Sequence, residues 1–276
     1  MSVFTEKTIV VTGASSGIGR ALCLELAGEK ARLVLAARDA ARLDAVALAC
    51  EERGAQAMAV PTDVTSEADC HALIGKTLER FGGIDALVAN AGITMWSRFD
   101  QMRDLSLYEK LYRVNVLGAI YPTFYALPAL KKARGRIAVV SSLAGLTGVP
   151  ERTGYAATKH ALFGFFDSLR IELAGTGVSV TIAAPDFVVS EIHRRAIGPD
   201  GKPLGESPMV EERIMTAEDC ARGISRAMAR RRRLWISSMR GRLLRPVRTL
   251  LPGVVDRLTA RVLKRRRASS GDPRSP

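Results

Sequence analysis

Short runs of β-forming, apolar residues recur along this chain, each followed by a stretch of helix length, and this alternation restricts the fold severely. Strands are expected near 7–12, 32–37, 55–60, 84–89, 135–141, 178–184 and 233–237, and helices over 17–29, 40–53, 66–81, 104–130, 153–174 and 217–230. Early runs such as Leu33-Val-Leu-Ala-Ala37 are apolar throughout, as suits strands covered on both faces. The expected fold is α/β: one doubly wound domain with a seven-stranded parallel sheet and a basic, partly helical C-terminal extension. A length of 276 residues fits one such domain better than two.

The first strand runs into Thr12-Gly-Ala-Ser-Ser-Gly-Ile-Gly19, and the first helix begins inside that turn. Gly13, Gly17 and Gly19 permit a tight turn and let a pyrophosphate reach backbone N–H groups at the positive end of a helix. Ser15, Ser16 and Ile18 belong to the same cradle. A plain turn is a poor explanation once Asp63-Val64 follows the third strand and Asn90-Ala91-Gly92 the fourth. Tyr155 and Lys159 stand four residues apart on one expected helix, hence on one face. A phenol with a pKa of about 10 is a poor acid or base at neutral pH, and an ammonium one turn away lowers that value. Together these features suit hydride transfer between a nicotinamide cofactor and a carbonyl or alcohol.

In this order the motifs resemble the short-chain dehydrogenase/reductase family of the classical type, over about residues 5–237. The resemblance implies a Rossmann-type domain and a catalytic set of Asn115, Ser142, Tyr155 and Lys159, with Ser142 preferred to Ser141. It implies that Ser142 polarises the substrate carbonyl, Tyr155 donates the proton, and Asn115 holds a relay water by Lys159 through its backbone carbonyl. Asp63 and Val64 would hold the adenine, and Asn90, with Ala91 and Gly92, the wall beside the cofactor. Lys159 would also bind the nicotinamide ribose, with Tyr155 and Asn115 beside it. Pro185, Val188 and Ser190 occupy the segment that holds the carboxamide, where Asp186 replaces the family's glycine and Ser190 its threonine.

Cofactor choice turns on Ala36-Ala-Arg-Asp39. The position where the family places a ribose-binding acid holds Ala37, and Arg38 and Arg42 suit a 2′-phosphate, so NADP is expected rather than NAD. Asp39 pulls the other way, and Ser16 is not the basic residue that often reinforces NADP preference. A solvated charged face formed by Arg38, Arg42, Asp39 and Asp44 is the alternative.

A substrate pocket is expected beyond the strand ends, under a loop from Glu191 to about Met215. Ser142, Leu143, Val149, Tyr155, Phe187 and Ile192 are its candidate lining, with Leu146 and Val188 nearby. This mostly apolar set suits a hydrophobic ketone, aldehyde or alcohol, unless the apolar members are core. Trp96 either lines the mouth or simply packs. His71, His160 and His193 are scattered, which argues against a hydrolase triad or a metal site. Cys23, Cys50, Cys70 and Cys220 form no C-x-x-C pair, so buried, reduced thiols are expected. No secretory signal and no apolar run of about 20 residues stands out, and a cytoplasmic protein is expected.

The net charge of +13 lies in the tail. Residues 222–276 carry 17 Arg or Lys against Asp256 and Asp272, leaving 24 bases and 26 acids before them. Three segments are expected: a domain at 1–238, a basic amphipathic extension at 239–266 broken by Pro246 and Pro252 into short helical pieces, and a disordered end at 267–276. The extension either packs on the domain or a second subunit, attaches peripherally to an anionic membrane surface, or binds nucleic acid. The absence of a recognised motif or aromatic platform argues against the last. The tail also resembles those of membrane-associated lipid and steroid reductases in the family. Leu162, Phe165, Phe166, Leu169 and Leu173 lie at helical spacing and some of them must face the sheet; the resemblance implies that such helices pair between subunits, so a homodimer or homotetramer is expected. A catalytically silent dinucleotide-binding scaffold is the rival function, and the intact catalytic set argues against it.

Overall fold

A computed structural model describes residues 2–207 and 214–270, without the side chains of 244–245 and 262–270. Seven parallel strands lie in the order β3-β2-β1-β4-β5-β6-β7. They are β1 (Thr8–Thr12), β2 (Arg32–Ala37), β3 (Gln56–Pro61), β4 (Ala86–Ala89), β5 (Arg136–Val140), β6 (Ser179–Ala184) and β7 (Leu234–Ile236). Every residue of β1 and β4 is buried, as the unbroken apolar runs require of central strands with both faces covered. Helices α1 (Gly17–Gly28), α2 (Ala40–Glu51) and α3 (Glu67–Phe81) connect the first four strands. Beyond β4 come α4 (Ser106–Tyr112), α5 (Gly118–Ala133), α6 (Thr153–Glu172) and α7 (Ala217–Ala229).

The sheet divides two apolar clusters. Leu22 and Leu26 of α1 join Ile224 and Met228 of α7 on one side, while Leu130 of α5 and Leu162 and Phe166 of α6 lie on the other. All four cysteines are free and buried. Burial pushes the Cys50 thiol up to about 11 and those of Cys70 and Cys220 to about 12.

Three expectations need correction. The single helix over 104–130 is interrupted by a five-residue π-turn, Arg113–Leu117, between α4 and α5. The extension breaks at Pro252 as expected but not at Pro246: α8 (Met239–Leu250) carries Pro246 inside it, and α9 (Pro252–Ser270) is 19 residues long. Pro252 opens α9, where a missing N–H costs no hydrogen bond. Residues 267–270, read as disordered, continue α9; 271–276 lie outside the described residues.

Three contacts fasten the extension. Arg240 and Ser238 bind the Asp186 carboxylate, and Arg248 donates to Thr147 Oγ1 at 2.8 Å. Gly241 packs so closely that a Cβ there would lie 2.6 Å from Leu143 and 2.8 Å from Ile236. Val255 is buried, but Met239, Leu243, Leu250, Leu251, Val254 and Leu258 are exposed, so much of the apolar face meets solvent. No helix of the described residues is long and apolar enough to cross a membrane.

The loop after β6 is stitched over the strand ends by isolated bridges, Met95 to Ile197 and Val188 to Met215. Gly198–Ser207 is irregular as expected; Pro208 and the rest of 208–213 lie outside the described residues.

Candidate active site

One cavity of about 840 Å³ runs from the glycine turn, past Tyr155, to the extension. It lies at the C-terminal ends of the strands, where parallel sheets place their ligands.

At one end the glycines meet a steric need. Gly13 has φ +65° and Gly17 φ +52°; a Cβ on Gly13 would sit 2.9 Å from Ala91 Cα, and one on Gly19 only 2.2 Å from the Gly13 carbonyl. Thr12 and Asn90 clasp the two loops together. Asn90 Nδ2 donates to the carbonyls of Thr12 and Gly13 at 2.9 and 3.2 Å, and Thr12 Oγ1 accepts the N–H groups of Asn90 and Ala91 at 3.0 and 3.1 Å. Ser16 caps α1 in extended conformation without a side-chain bond to the helix. The first-turn N–H groups of α1 stand beside cavity-lining Gly13, Ser15, Ser16, Gly17 and Ile18, an arrangement that fits a pyrophosphate. Asp63, Val64, Asn90, Ala91 and Gly92 continue this wall. Gly19 does not line it; its part is the close packing against Gly13.

At the end of β2, Arg38 and Asp39 line the cavity and Arg42 does not. Asp39 caps α2, accepting from Arg42 N at 3.1 Å. Arg42 reaches across to Glu191, Nη1 to Oε2 at 2.9 Å, and that hydrogen bond and charge raise its already high pKa. Sequence reading placed Arg42 by a phosphate; a carboxylate holds it here.

In the middle, Ser142, Tyr155 and Lys159 share the cavity wall. Ser142 Oγ accepts from Ala144 N at 3.2 Å, whereas Ser141 Oγ is buried and donates to the Lys159 carbonyl at 3.0 Å. That hydrogen bond ties α6 to the end of β5 and engages the Ser141 hydroxyl. Lys159 is buried, with Nζ 2.9 Å from the Val140 carbonyl and 5.5 Å from the Tyr155 ring centroid. Burial lowers its pKa; Tyr155 opposes that shift and Arg152 adds to it.

Asn115 does not line the cavity. It occupies the π-turn and braces the site. Its Oδ1 accepts Ile93 N at 2.8 Å, and its Nδ2 donates to the Ile93 carbonyl at 3.0 Å and to Thr158 Oγ1 at 2.9 Å. A Cβ on Gly92 would stand 3.2 Å from Asn115 Oδ1 and 3.6 Å from Lys159 Nζ, so a side chain there would press on Asn115.

Pro185, Val188 and Ser190 line the cavity, as do Leu143, Val149, Phe187 and Ile192. Trp96 does not; it packs beside the cavity, with Nε1 donating to Glu151 Oε2 at 3.1 Å. His71, His160 and His193 form no metal-binding group among the described residues.

Several lining residues were not marked in the sequence, among them Leu258, Thr259, Arg152, Thr94, Arg195 and Arg240. Leu258 and Thr259 close the far end of the cavity from α9, and no spacing rule indicates that a tail folds back. Arg152 and Thr94 also line it. Arg152 was legible as the residue three before the tyrosine, but nothing in the sequence shows that its charge is buried.

The sequence profile described as short chain dehydrogenase matches residues 7–198. The chain is 36% identical over 230 residues to "11-beta-hydroxysteroid dehydrogenase A" of Sesamum indicum, covering 81% of this chain and 66% of that protein. It is 35% identical over 225 residues to "11-beta-hydroxysteroid dehydrogenase" of Pinus massoniana, covering 79% and 63%. The chain thus spans just under two thirds of the length of these relatives. Among solved structures it is similar to a short chain dehydrogenase/reductase from Burkholderia phymatum in complex with NAD, with TM-score 0.80, 25% identity and 92% and 96% of the two chains covered. An alcohol dehydrogenase from the archaeon Thermococcus sibiricus, complexed with 5-hydroxy-NADP, gives TM-score 0.74 at 25% identity, covering 84% and 95%.

Proposed function

Because the chain belongs to the short-chain dehydrogenase family, we propose that it is an oxidoreductase exchanging hydride between NADP(H) and a carbonyl or alcohol of an apolar small molecule, with ketone or aldehyde reduction favoured. The observation that carries this reading is one continuous cavity joining the glycine turn to Ser142, Tyr155 and Lys159. The dinucleotide, when bound, supplies or accepts the hydride.

The chain's own residues do the rest. The α1 N-terminus and Ser15 to Ile18 hold the phosphates, Asp63 and Val64 the adenine, and Val188 and Ser190 the carboxamide. Arg38 is the cation for a 2′-phosphate. NADP rather than NAD is supported by Ala37 in place of an acid and by the engagement of Asp39 as a helix cap. Ser142 Oγ donates to the substrate oxygen and Tyr155 delivers its proton. The Lys159 ammonium stabilises the phenolate left behind, and Asn115 fixes the distance between the Gly92 loop and α6. Leu143, Val149, Phe187, Ile192 and Leu258 enclose the apolar body of the substrate.

Screening ketones and alcohols against nicotinamide absorbance tests the reading. Turnover that vanishes in Tyr155→Phe supports it; a protein that binds dinucleotide but turns over nothing is the silent scaffold instead.

Membrane attachment through the extension is supported by the exposed Met239, Leu243, Leu250 and Leu251 lying among arginines. A homo-oligomer is supported by exposed Phe124 and Ile171 on α5 and α6, although Leu162, Phe166 and Leu173 belong to the core.

A further inference from the structure

Arg152 is 4% exposed, lines the cavity, and forms no ion pair with a carboxylate among the described residues. Its guanidinium makes one hydrogen bond there, Nη2 to Thr94 Oγ1 at 2.7 Å, and Nε has no partner. Three aromatic rings stand around it. The guanidinium carbon lies 4.4 Å from the ring centroid of Tyr155, 5.3 Å from Trp96 and 5.9 Å from Phe187. Arg195 and Arg240, elsewhere on the cavity wall, are each held by a carboxylate, Glu191 and Asp186.

A buried charge without a counter-ion is strongly unfavourable, and aromatic faces and one hydroxyl offset only part of that cost. The backbone nevertheless turns this side chain inward. Glu151 adopts the left-handed conformation, φ +66°, while its carboxylate binds Trp96 and its carbonyl accepts Ser97 N at 2.8 Å. A non-glycine residue stays in that region only where its surroundings hold it there.

We propose that Arg152 is a substrate-binding residue that takes an anionic group, so that the substrate is an apolar carbonyl or hydroxy compound carrying a carboxylate. This rests on the oxidoreductase reading above and narrows it. A planar guanidinium with open donors matches a carboxylate in two-point contact. Because the cation lies on the face of the Tyr155 ring, the carboxylate stands only a few bonds from the reacting carbon, as in a 2- or 3-oxo acid with an apolar remainder. Thr94 accepts from Nη2 and Nε has no partner, so the guanidinium keeps donors for a carboxylate.

The test has two arms on the full chain. In turnover, phenylglyoxylate and its methyl ester are compared for kcat/KM in the wild type, Arg152→Met and Arg152→Lys. Charge-assisted hydrogen bonds of this kind predict an acid-over-ester preference of roughly 10- to 100-fold, lost in Arg152→Met and partly kept in Arg152→Lys. In binding, the NADPH-saturated wild type is titrated calorimetrically with 2-naphthoate and 2-naphthamide, which needs no variant to fold and no reaction to occur. Tighter binding of the carboxylate supports the site. Equal binding, or a loss in Arg152→Met that is the same for acid and ester, overturns it and leaves Arg152 as an electrostatic neighbour of Tyr155. Preference for naphthoate without turnover of any carbonyl keeps the anion site and removes the oxidoreductase reading.

Discussion

Arg240 meets Asp186 in a two-point contact, Nε to Oδ2 at 2.7 Å and Nη2 to Oδ1 at 2.9 Å, with Ser238 Oγ adding a third bond at 2.9 Å. The residue that departs from the family's glycine is thus the anchor of the C-terminal extension. Arg240 is largely exposed, so the pair is worth on the order of 1 kcal/mol rather than the value of a buried bridge. Asp186→Gly is expected to loosen α8, raise KM several-fold and change kcat little. Limited proteolysis after residue 238 and steady-state kinetics check it; an unchanged cleavage rate counts against the anchor.

The same contact sets an acid limit. Burial raises the Asp186 carboxyl, but the hydrogen bond and charge of Arg240, helped by Ser238 and Phe187 N, bring it below the usual carboxylate value. A depressed carboxylate contributes stability that is complete above its unfolded pKa of about 3.9 and lost as pH falls through the native value. Cleavage of the extension should therefore be constant from neutral pH to about 5 and accelerate below about 4. Asp186→Asn should remove that step.

Tyr155→Phe should cost roughly 10²- to 10⁴-fold in kcat while dinucleotide binding persists. Lys159→Met should also abolish turnover and weaken dinucleotide binding, yet not destabilise the ligand-free protein. A lysine whose native pKa is lowered by burial opposes folding below that pKa, and the opposition fades as pH rises toward the unfolded value of about 10.4. Each kcal/mol relieved raises Tm by about 2–4 °C. A fall in Tm at neutral pH would assign Lys159 a structural role.

Arg38→Ala should weaken NADPH several-fold and spare NADH. Glu191→Gln should act in the opposite sense, because it releases Arg42 and removes a negative charge near the same wall. Fluorescence titration of both cofactors decides it; equal losses for both with Arg38→Ala point to a solvated charged face.

The full chain should sediment with anionic vesicles at low salt and release as salt rises. Leu243→Glu with Leu250→Glu, both at exposed positions of α8, should abolish sedimentation without touching the cavity. Sedimentation that the double variant retains would return the extension to a packed cap.

What the sequence made legible follows physical period. Continuous apolar runs marked every strand to within about two residues, the usual precision of such boundaries. Glycines at positions where positive φ or close backbone contact disfavours any side chain marked the phosphate turn. Three things escaped. The π-turn at Asn115 conserves helical composition and alters only the hydrogen-bond ladder. The pairing of Arg42 with Glu191, and of Arg240 with Asp186, joins residues far apart in the chain whose charges look solvated when read locally. Arg152 looked like any arginine before a helix, because burial of a charge is a property of the surrounding fold.

The buried thiols have a practical consequence. Each of the four sulfurs is closed to solvent in the folded protein and held as the unreactive thiol at neutral pH. A single cysteine introduced on the surface would therefore be the one fast target for a maleimide dye or spin label, with no background to subtract and no native cysteine to delete. Placed at exposed Leu258, at the rim of the cavity, such a label would report in real time whether α9 lifts when a substrate enters.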